Sequence, residues 1–260
     1  MTADLSGRVI IVTGGTQGIG EAVAREAAAC GAGGLVVCGR DAARGRAVAD
    51  DLGRLGCPAE FVAADLEEPE ACRAVVAACD RRFGRVDGLV NAAGLTDRGS
   101  LESTTVELWD RLFAVNARAP FLLMQASVAI MRREGIAGSI VNIITMSSHG
   151  GQPFLTAYAA SKGALAVLTK NVAHALRRDR IRVNGINIGW SDTPNEHRVQ
   201  REAMGRGPDW LAEAEAAQPF GRLVKPIEVA RLTAFLLSPD SGVMTGSIID
   251  HDQNVMGAYD

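Results

Sequence analysis

The chain has 260 residues, 47% of them hydrophobic, which is the level of an ordinary globular protein able to bury a sizeable core. A formal charge of −3 excludes a global positive field that would draw it to nucleic acid or to an anionic membrane. The five cysteines (Cys30, Cys38, Cys57, Cys72, Cys79) form no C-x-x-C pair and share no ligand spacing with the four histidines, so reduced thiols and no metal site are expected.

Residues 1–8 contain no apolar run of the kind a signal peptide needs, and a soluble, cytoplasmic protein is expected. A β-rich run at 8–12 leads into Thr13-Gly14-Gly15-Thr16-Gln17-Gly18-Ile19-Gly20, which opens an alanine-rich helical segment at 20–30. Further strands are predicted at 34–38, 60–63, 88–90, 139–144, 182–187 and 247–250, with helices at 42–55, 69–83, 106–133 and 157–178 between them. The most apolar stretch, 121–131, carries Gln125 and Ser127 and is well short of the ~20 residues of a membrane span. Strand–helix alternation without a linker-like break predicts one α/β domain, a doubly wound, mainly parallel sheet with helices on both faces. Residues 192–219 interrupt the pattern with Pro194, Gly205, Gly207 and Pro208. They follow a strand on the side where such sheets bind ligands, and are expected to form a mobile substrate lid with a short helix near 209–217.

The glycine-rich turn sits between an apolar strand and a helix. Glycine there permits positive φ and lets backbone N–H groups approach a pyrophosphate, with the partial positive charge of the helix N-terminus behind them. Tyr158 and Lys162 are four apart in a helical segment and share a face. A free phenol titrates near pH ~10, and a neighbouring ammonium would lower that value, so the pair is a sensible acid/base unit for a carbonyl or alcohol oxygen.

The spacing Gly14, Gly18, Gly20 resembles T-G-x-x-x-G-x-G, the cofactor motif of the short-chain dehydrogenase/reductase family. Asn91-Ala92-Ala93-Gly94 resembles that family's N-A-A-G, Tyr158-Ala-Ala-Ser-Lys162 its Y-x-x-x-K, and Asn116 falls where the family keeps an asparagine in its long middle helix. The resemblance implies a Rossmann-type seven-stranded sheet, a nicotinamide dinucleotide, and a homotetramer or homodimer. It implies Tyr158 as the proton-transfer residue, Lys162 as its tuner and a ribose ligand, and Asn116 as holder of a water in a proton relay. Cofactor contacts are implied for Gly14, Thr16, Gln17, Gly18, Ile19, Gly20, Asp65, Leu66, Asn91, Ala92, Gly94, Ile188 and Thr193. Ile188-Gly189 replaces the family's P-G and so loses proline's fixed φ.

The family's serine, thirteen positions before the tyrosine, is Thr145 here, with Ser147 as the competing hydroxyl. If the segment continued extended, those two side chains would be separated by about 6.6 Å, and only one could serve. The second strand ends at Gly39-Arg40-Asp41. Gly39 occupies the place of an NAD-reading aspartate, Arg40 could pair with a 2′-phosphate, and Asp41 is suited to cap the next helix. NADP(H) is therefore favoured, with NAD(H) possible. Candidate substrate contacts are His149, Gln152, Phe154, Trp190, Asn195 and Trp210, a mixed polar and aromatic set. The expected reaction interconverts a secondary alcohol and a ketone or other carbonyl. A non-catalytic nucleotide-binding regulator and an epimerase or dehydratase on the same fold stay open.

Overall fold

The computed structural model describes residues 3–258. Seven parallel strands form one sheet in the order β3-β2-β1-β4-β5-β6-β7: β1 Val9–Thr13, β2 Gly34–Gly39, β3 Ala59–Ala63, β4 Gly88–Asn91, β5 Ser139–Ile143, β6 Arg182–Ile188 and β7 Ile248–His251. Their near-continuous apolar runs reflect burial on both faces. Alternate residues face opposite layers. Ile10, Val12, Leu35 and Val37 pack against helices α1 (Gly18–Ala29), α2 (Ala42–Arg54) and α9 (Pro226–Leu237). Val9, Ile11, Val36 and Ile140 pack against α3 (Pro69–Phe83), α5 (Ala119–Arg133) and α6 (Thr156–Leu176). The sheet order reverses direction beside β1, between β2 and β4, which opens a crevice at the carboxyl ends of these strands.

Three local features differ from the sequence reading. The predicted helix 106–133 is divided into α4 (Val106–Phe113), a π-turn at Ala114–Arg118 and α5. Pro120 explains the break: it has no N–H, and its ring clashes with the carbonyl four residues back, that of Asn116, so the helix widens there. This composite run is long and apolar enough, by length and composition, to cross a membrane. Yet 61% of its most apolar window is buried within the protein, as in a core helix. Helix α9 was not predicted. Pro226 starts it, the Lys225 N–H donates to Glu228 Oε2 at 2.8 Å, and Val229, Ala230, Ala234 and Leu237 bury its inner face. After β5 the chain does not continue extended but folds into a 3₁₀ turn, Met146–His149.

Residues 192–219 contain α7 (Pro194–Arg198), a π-turn at Val199–Ala203 and α8 (Trp210–Ala216). This segment is anchored. Lys225 Nζ donates to Asp192 Oδ2 at 2.9 Å and to Glu215 Oε1 at 2.8 Å, and the His197 ring, 2.8 Å from Asp192 Oδ1, meets Trp210 edge-on. Trp210, 1% exposed, is the centre of a small apolar cluster with Ala214 and Leu223.

Candidate active site

The glycine turn fits a pyrophosphate. Gly14 and Gly18 lie in the left-handed region at φ +64° and +56°, and a Cβ on Gly14 would stand 2.8 Å from the Ala93 backbone. Gly20 serves packing: a Cβ there would meet the Gly14 carbonyl oxygen at 2.3 Å. Thr13 ties β1 to the end of β4, its hydroxyl accepting from the Ala92 and Ala93 N–H groups at 3.1 Å. Beside this turn a cleft is lined by Gly14, Thr16, Gln17, Gly39, Arg40 and Asp65, and extends past Leu66, Ala93 and Gly94 to Val115.

Two cations stand at its outer end. Arg40 is exposed and makes no side-chain hydrogen bond or ion pair among the described residues. Arg44, which the sequence reading missed, lies across Gln17, donating to Gln17 Oε1 at 2.5 Å and to Asp41 Oδ2 at 2.7 Å. Asp41 caps α2 through the Ala43 and Arg44 N–H groups. Gly39 is fixed by its neighbour, since a Cβ would stand 2.8 Å from both Thr16 Cγ2 and Oγ1. A carboxylate cannot be placed at 39 without displacing Thr16, while a guanidinium is free to meet a phosphate. The residues present therefore fit a nicotinamide dinucleotide carrying a 2′-phosphate.

Not every predicted cofactor residue lines this cleft. The Asn91 side chain is buried between strands, donating to Asn142 Oδ1 at 2.8 Å. Ile19, Ala92 and Ile188 pack against the core. Thr193 caps α7 and stands beside Gly18, flanking the turn.

Toward the middle of the sheet, Tyr158 and Lys162 share the buried face of α6. Lys162 Nζ donates to the Ile143 carbonyl at 2.9 Å. A Cβ on Gly94 would lie 3.3 Å from that Nζ and 3.4 Å from Asn116 Oδ1, so the missing side chain leaves polar space between the two groups. The π-turn aims Asn116 at this point. Its Oδ1 accepts from Leu95 N–H at 2.9 Å, and its Nδ2 donates to the Leu95 carbonyl and to Ser161 Oγ, each at 3.0 Å. Both amide hydrogens are thus engaged, and the remaining capacity of Asn116 is as an acceptor.

The electrostatics differ from the sequence expectation. Burial pushes the Tyr158 phenol up to about 12; the Thr145 hydroxyl beside it pulls the other way and the Glu196 charge adds to the rise. Burial also pulls Lys162 down to about 8. An ammonium turned onto a backbone carbonyl and itself disfavoured by desolvation does not offset the burial of the phenol. The phenol therefore keeps its proton at neutral pH.

The 3₁₀ turn corrects the assumption that Thr145 and Ser147 must stand far apart, because their hydroxyl oxygens are 3.4 Å from one another. They face different partners. Thr145 is the hydroxyl that acts on Tyr158, and Ser147 donates to Gln152 Oε1 at 2.5 Å. His149 turns to the ends of β6 and β7, 3.0 Å from Asn187 Nδ2 and 3.1 Å from Asp250 Oδ1. Phe154 is exposed beneath Arg98, Trp190 donates to Glu196 Oε1 at 2.8 Å, and Asn195 donates to Thr96 Oγ1 at 3.3 Å. Trp210, by contrast, is a packing residue of the anchored segment. Arg98, Thr96 and Glu196 were not found from sequence.

A switch-point crevice with a phosphate-binding glycine turn, and a buried tyrosine–lysine pair behind it, defines a nucleotide-dependent oxidoreductase fold. The family model described as "Enoyl-(Acyl carrier protein) reductase" matches residues 14–254. Short-chain dehydrogenase/reductase FrzI of Cladobotryum sp is 34% identical over 247 residues, 94% of this chain and 93% of that protein. The NADP-dependent (R)-specific alcohol dehydrogenase of Lentilactobacillus kefiri is 32% identical over 95% of this chain and 96% of its own. The solved structure of L-sorbose reductase from Gluconobacter frateurii, complexed with NADPH and L-sorbose, superposes over 100% of both chains with a TM-score of 0.93 at 28% identity. The chain belongs to the short-chain dehydrogenase/reductase family and is an oxidoreductase of that family.

Proposed function

We propose that this protein is an NADP(H)-dependent reductase that converts a small-molecule ketone or other carbonyl to a secondary alcohol, with Tyr158 as the proton donor. The observation that carries this reading is the buried phenol with the Thr145 hydroxyl against it and Lys162 one turn further along the same helix. The cofactor, when bound, supplies the hydride to the carbonyl carbon. Tyr158 Oη gives its proton to the carbonyl oxygen as negative charge develops there, and a phenol near 12 is acid enough to do so and too weak to be ionised beforehand. Thr145 Oγ1 holds the same oxygen by a hydrogen bond that strengthens with that charge. Lys162 and Asn116, facing the space beside Gly94, hold the ribose and the resupplied proton. Arg40 and Arg44 bind the 2′-phosphate, and the NADPH complex and NADP-dependence named for relatives support that choice.

In this reading the protein is soluble and cytoplasmic, with residues 192–219 as the lid over the substrate. It self-associates through the apolar groove between α5 and α6, where Phe121, Met124, Val128, Leu168 and Val172 line a depression of about 360 Å³, and light scattering would show a dimer or tetramer. The deciding experiment is Tyr158→Phe. It keeps the ring and is expected to cost at least ~10²-fold in kcat with NADPH binding retained. Near-normal turnover would refute the mechanism. Cofactor binding by the wild-type protein with no turnover on any carbonyl or alcohol would favour a regulator instead.

A further inference from the structure

Three loops meet above Tyr158, and they bring together two charged side chains that the proposed chemistry does not use. Arg98 lies on the loop after β4. That loop is fastened to the segment leading into α6, with Gly99 N–H donating to the Phe154 carbonyl at 3.0 Å and Thr156 N–H to the Gly99 carbonyl at 3.1 Å. The Arg98 guanidinium is stacked 5.3 Å from the centre of the Phe154 ring, and its side chain is only 25% exposed. It makes no hydrogen bond among the described residues, although a guanidinium carries five N–H donors. Across from it, on α7, stands Glu196 with its side chain 17% exposed. Trp190 Nε1 and Gln200 Nε2 donate to its Oε1 at 2.8 and 2.6 Å. The nearest Arg98–Glu196 approach is 3.8 Å, too long for a hydrogen bond. The pair stands near Tyr158: Gly99, next to Arg98, bridges to Leu155, which packs in the same cluster as Tyr158, and the Glu196 charge acts on the phenol.

We propose that Arg98 and Glu196 form a substrate-binding site beside Tyr158 that takes a hydroxyl group adjacent to the reacting carbonyl, so that the substrate class is a neutral hydroxy ketone. This rests on the reductase reading above.

The argument is one of matching donors and acceptors. A hydroxyl can accept from the guanidinium and donate to the carboxylate at once, and it does so without adding charge to the pair. An anionic substrate would gain Arg98 but meet the charge of Glu196 in the same place. A plain alkyl ketone would cover this 3.8 Å ion pair while supplying no hydrogen bond to the guanidinium, and a site built for a hydroxyl rejects its deoxy analogue on that ground. The pair is positioned for discrimination. Trp190 and Gln200 hold the carboxylate, and Phe154 stacks against the guanidinium.

The test uses the full chain with NADPH and three substrates: 3-hydroxy-2-butanone, 2-butanone and the anionic 2-oxobutanoate. Wild type is expected to prefer the hydroxy ketone over both others by at least ~10-fold in kcat/KM. Arg98→Met keeps a long side chain over Phe154 without the donors, and Glu196→Gln keeps an acceptor for Trp190 without the charge. Each is expected to cut the preference for hydroxy ketone over 2-butanone by ~10-fold or more, and Glu196→Gln should improve 2-oxobutanoate relative to 2-butanone. Equal losses on all three substrates, or no preference in wild type, would overturn the proposal. Binding of xylitol to the NADPH complex of Tyr158→Phe, followed by calorimetry, reads the site without turnover. Binding there that disappears on adding Arg98→Met supports it even if wild type reduces none of these three carbonyls; only absence of turnover on every carbonyl and alcohol would sink the reductase reading instead. Unchanged binding in that double variant would overturn the site alone.

Discussion

Gly39→Asp places a carboxylate where a dinucleotide-binding strand of this kind would read a 2′-hydroxyl, so by motif logic alone it should convert the protein to NAD(H). The structure gives a different expectation. The new Cβ would stand 2.8 Å from Thr16 Cγ2 and Oγ1, and Thr16 is a buried β-branched residue with little freedom to turn. Overpacking of this kind costs about 1–3 kcal/mol. For a chain of this length that lowers Tm by roughly 2–12 °C. The strain falls on the glycine-turn loop, and the carboxylate would repel the 2′-phosphate that Arg40 and Arg44 are proposed to bind. The single variant should therefore lose at least ~10-fold in kcat/KM with NADPH, corresponding to about 1.4 kcal/mol, while gaining little with NADH. Thr16→Ala removes both clashing atoms and leaves the Thr16 Cβ position 3.4 Å away, an ordinary contact. Gly39→Asp with Thr16→Ala should recover most of the lost Tm and only then gain activity with NADH. Steady-state kinetics with both cofactors and scanning calorimetry on the four proteins decide the matter. A clean switch to NADH by Gly39→Asp alone, at wild-type Tm, would show that Thr16 moves freely and that the steric argument is wrong.

Other consequences can be checked separately. Thr145→Val should lower kcat by about 2.7–4 kcal/mol of transition-state stabilisation, with Ser147→Ala far milder and Thr145→Ser close to wild type; a larger loss in Ser147→Ala would move the catalytic hydroxyl to the residue that holds Gln152. Lys162 has its folded pKa depressed to about 8 from an ordinary 10.5, so the unfolded chain binds its proton more tightly and stability rises with pH between those values. Lys162→Met should therefore be more stable than wild type at pH 7, by an amount that shrinks as pH approaches 10, while turnover is lost. A pH-independent difference in Tm would count against a charged, desolvated lysine. Lys225→Met removes the cation between Asp192 and Glu215, and amide exchange across residues 210–216 should speed up by about tenfold or more while the β1 and β4 amides stay protected; unchanged exchange would mean that Trp210 packing alone anchors this segment.

The strands were legible because a doubly covered parallel sheet needs apolar residues at almost every position, and that signal survives without knowledge of neighbours. The glycine turn was legible for a similar reason, since positive φ and close backbone approach leave glycine as the residue that fits. The π-turn was not found, because hydrophobic periodicity runs through 106–133 without a visible change. Its signal was Pro120, which marks the carbonyl of Asn116 as the one that cannot be bonded in the ordinary way. Helix α9 was missed because it follows an irregular segment and is apolar around much of its circumference, so it offers little of the alternation by which an amphipathic helix is recognised.

The acid–base pair shows where sequence spacing stops being informative. Four residues apart on a helix correctly puts Tyr158 and Lys162 on one face, but whether the lysine lowers the phenol depends on where its ammonium is directed and on how much water reaches either group. Here the Ile143 carbonyl takes the ammonium and burial raises the phenol, which is why the proposed reaction has Tyr158 giving a proton rather than taking one. The same limit applies to Arg98 and Glu196. Each is an ordinary charge in a polar loop when read along the chain, and only the meeting of the loops after β4 and β6 makes them a pair. Residues that serve the cofactor recur at fixed offsets because the phosphate turn is a local structure. Residues that would select a substrate are brought together across the sheet's carboxyl edge by connections of different lengths, so no spacing in the sequence encodes them.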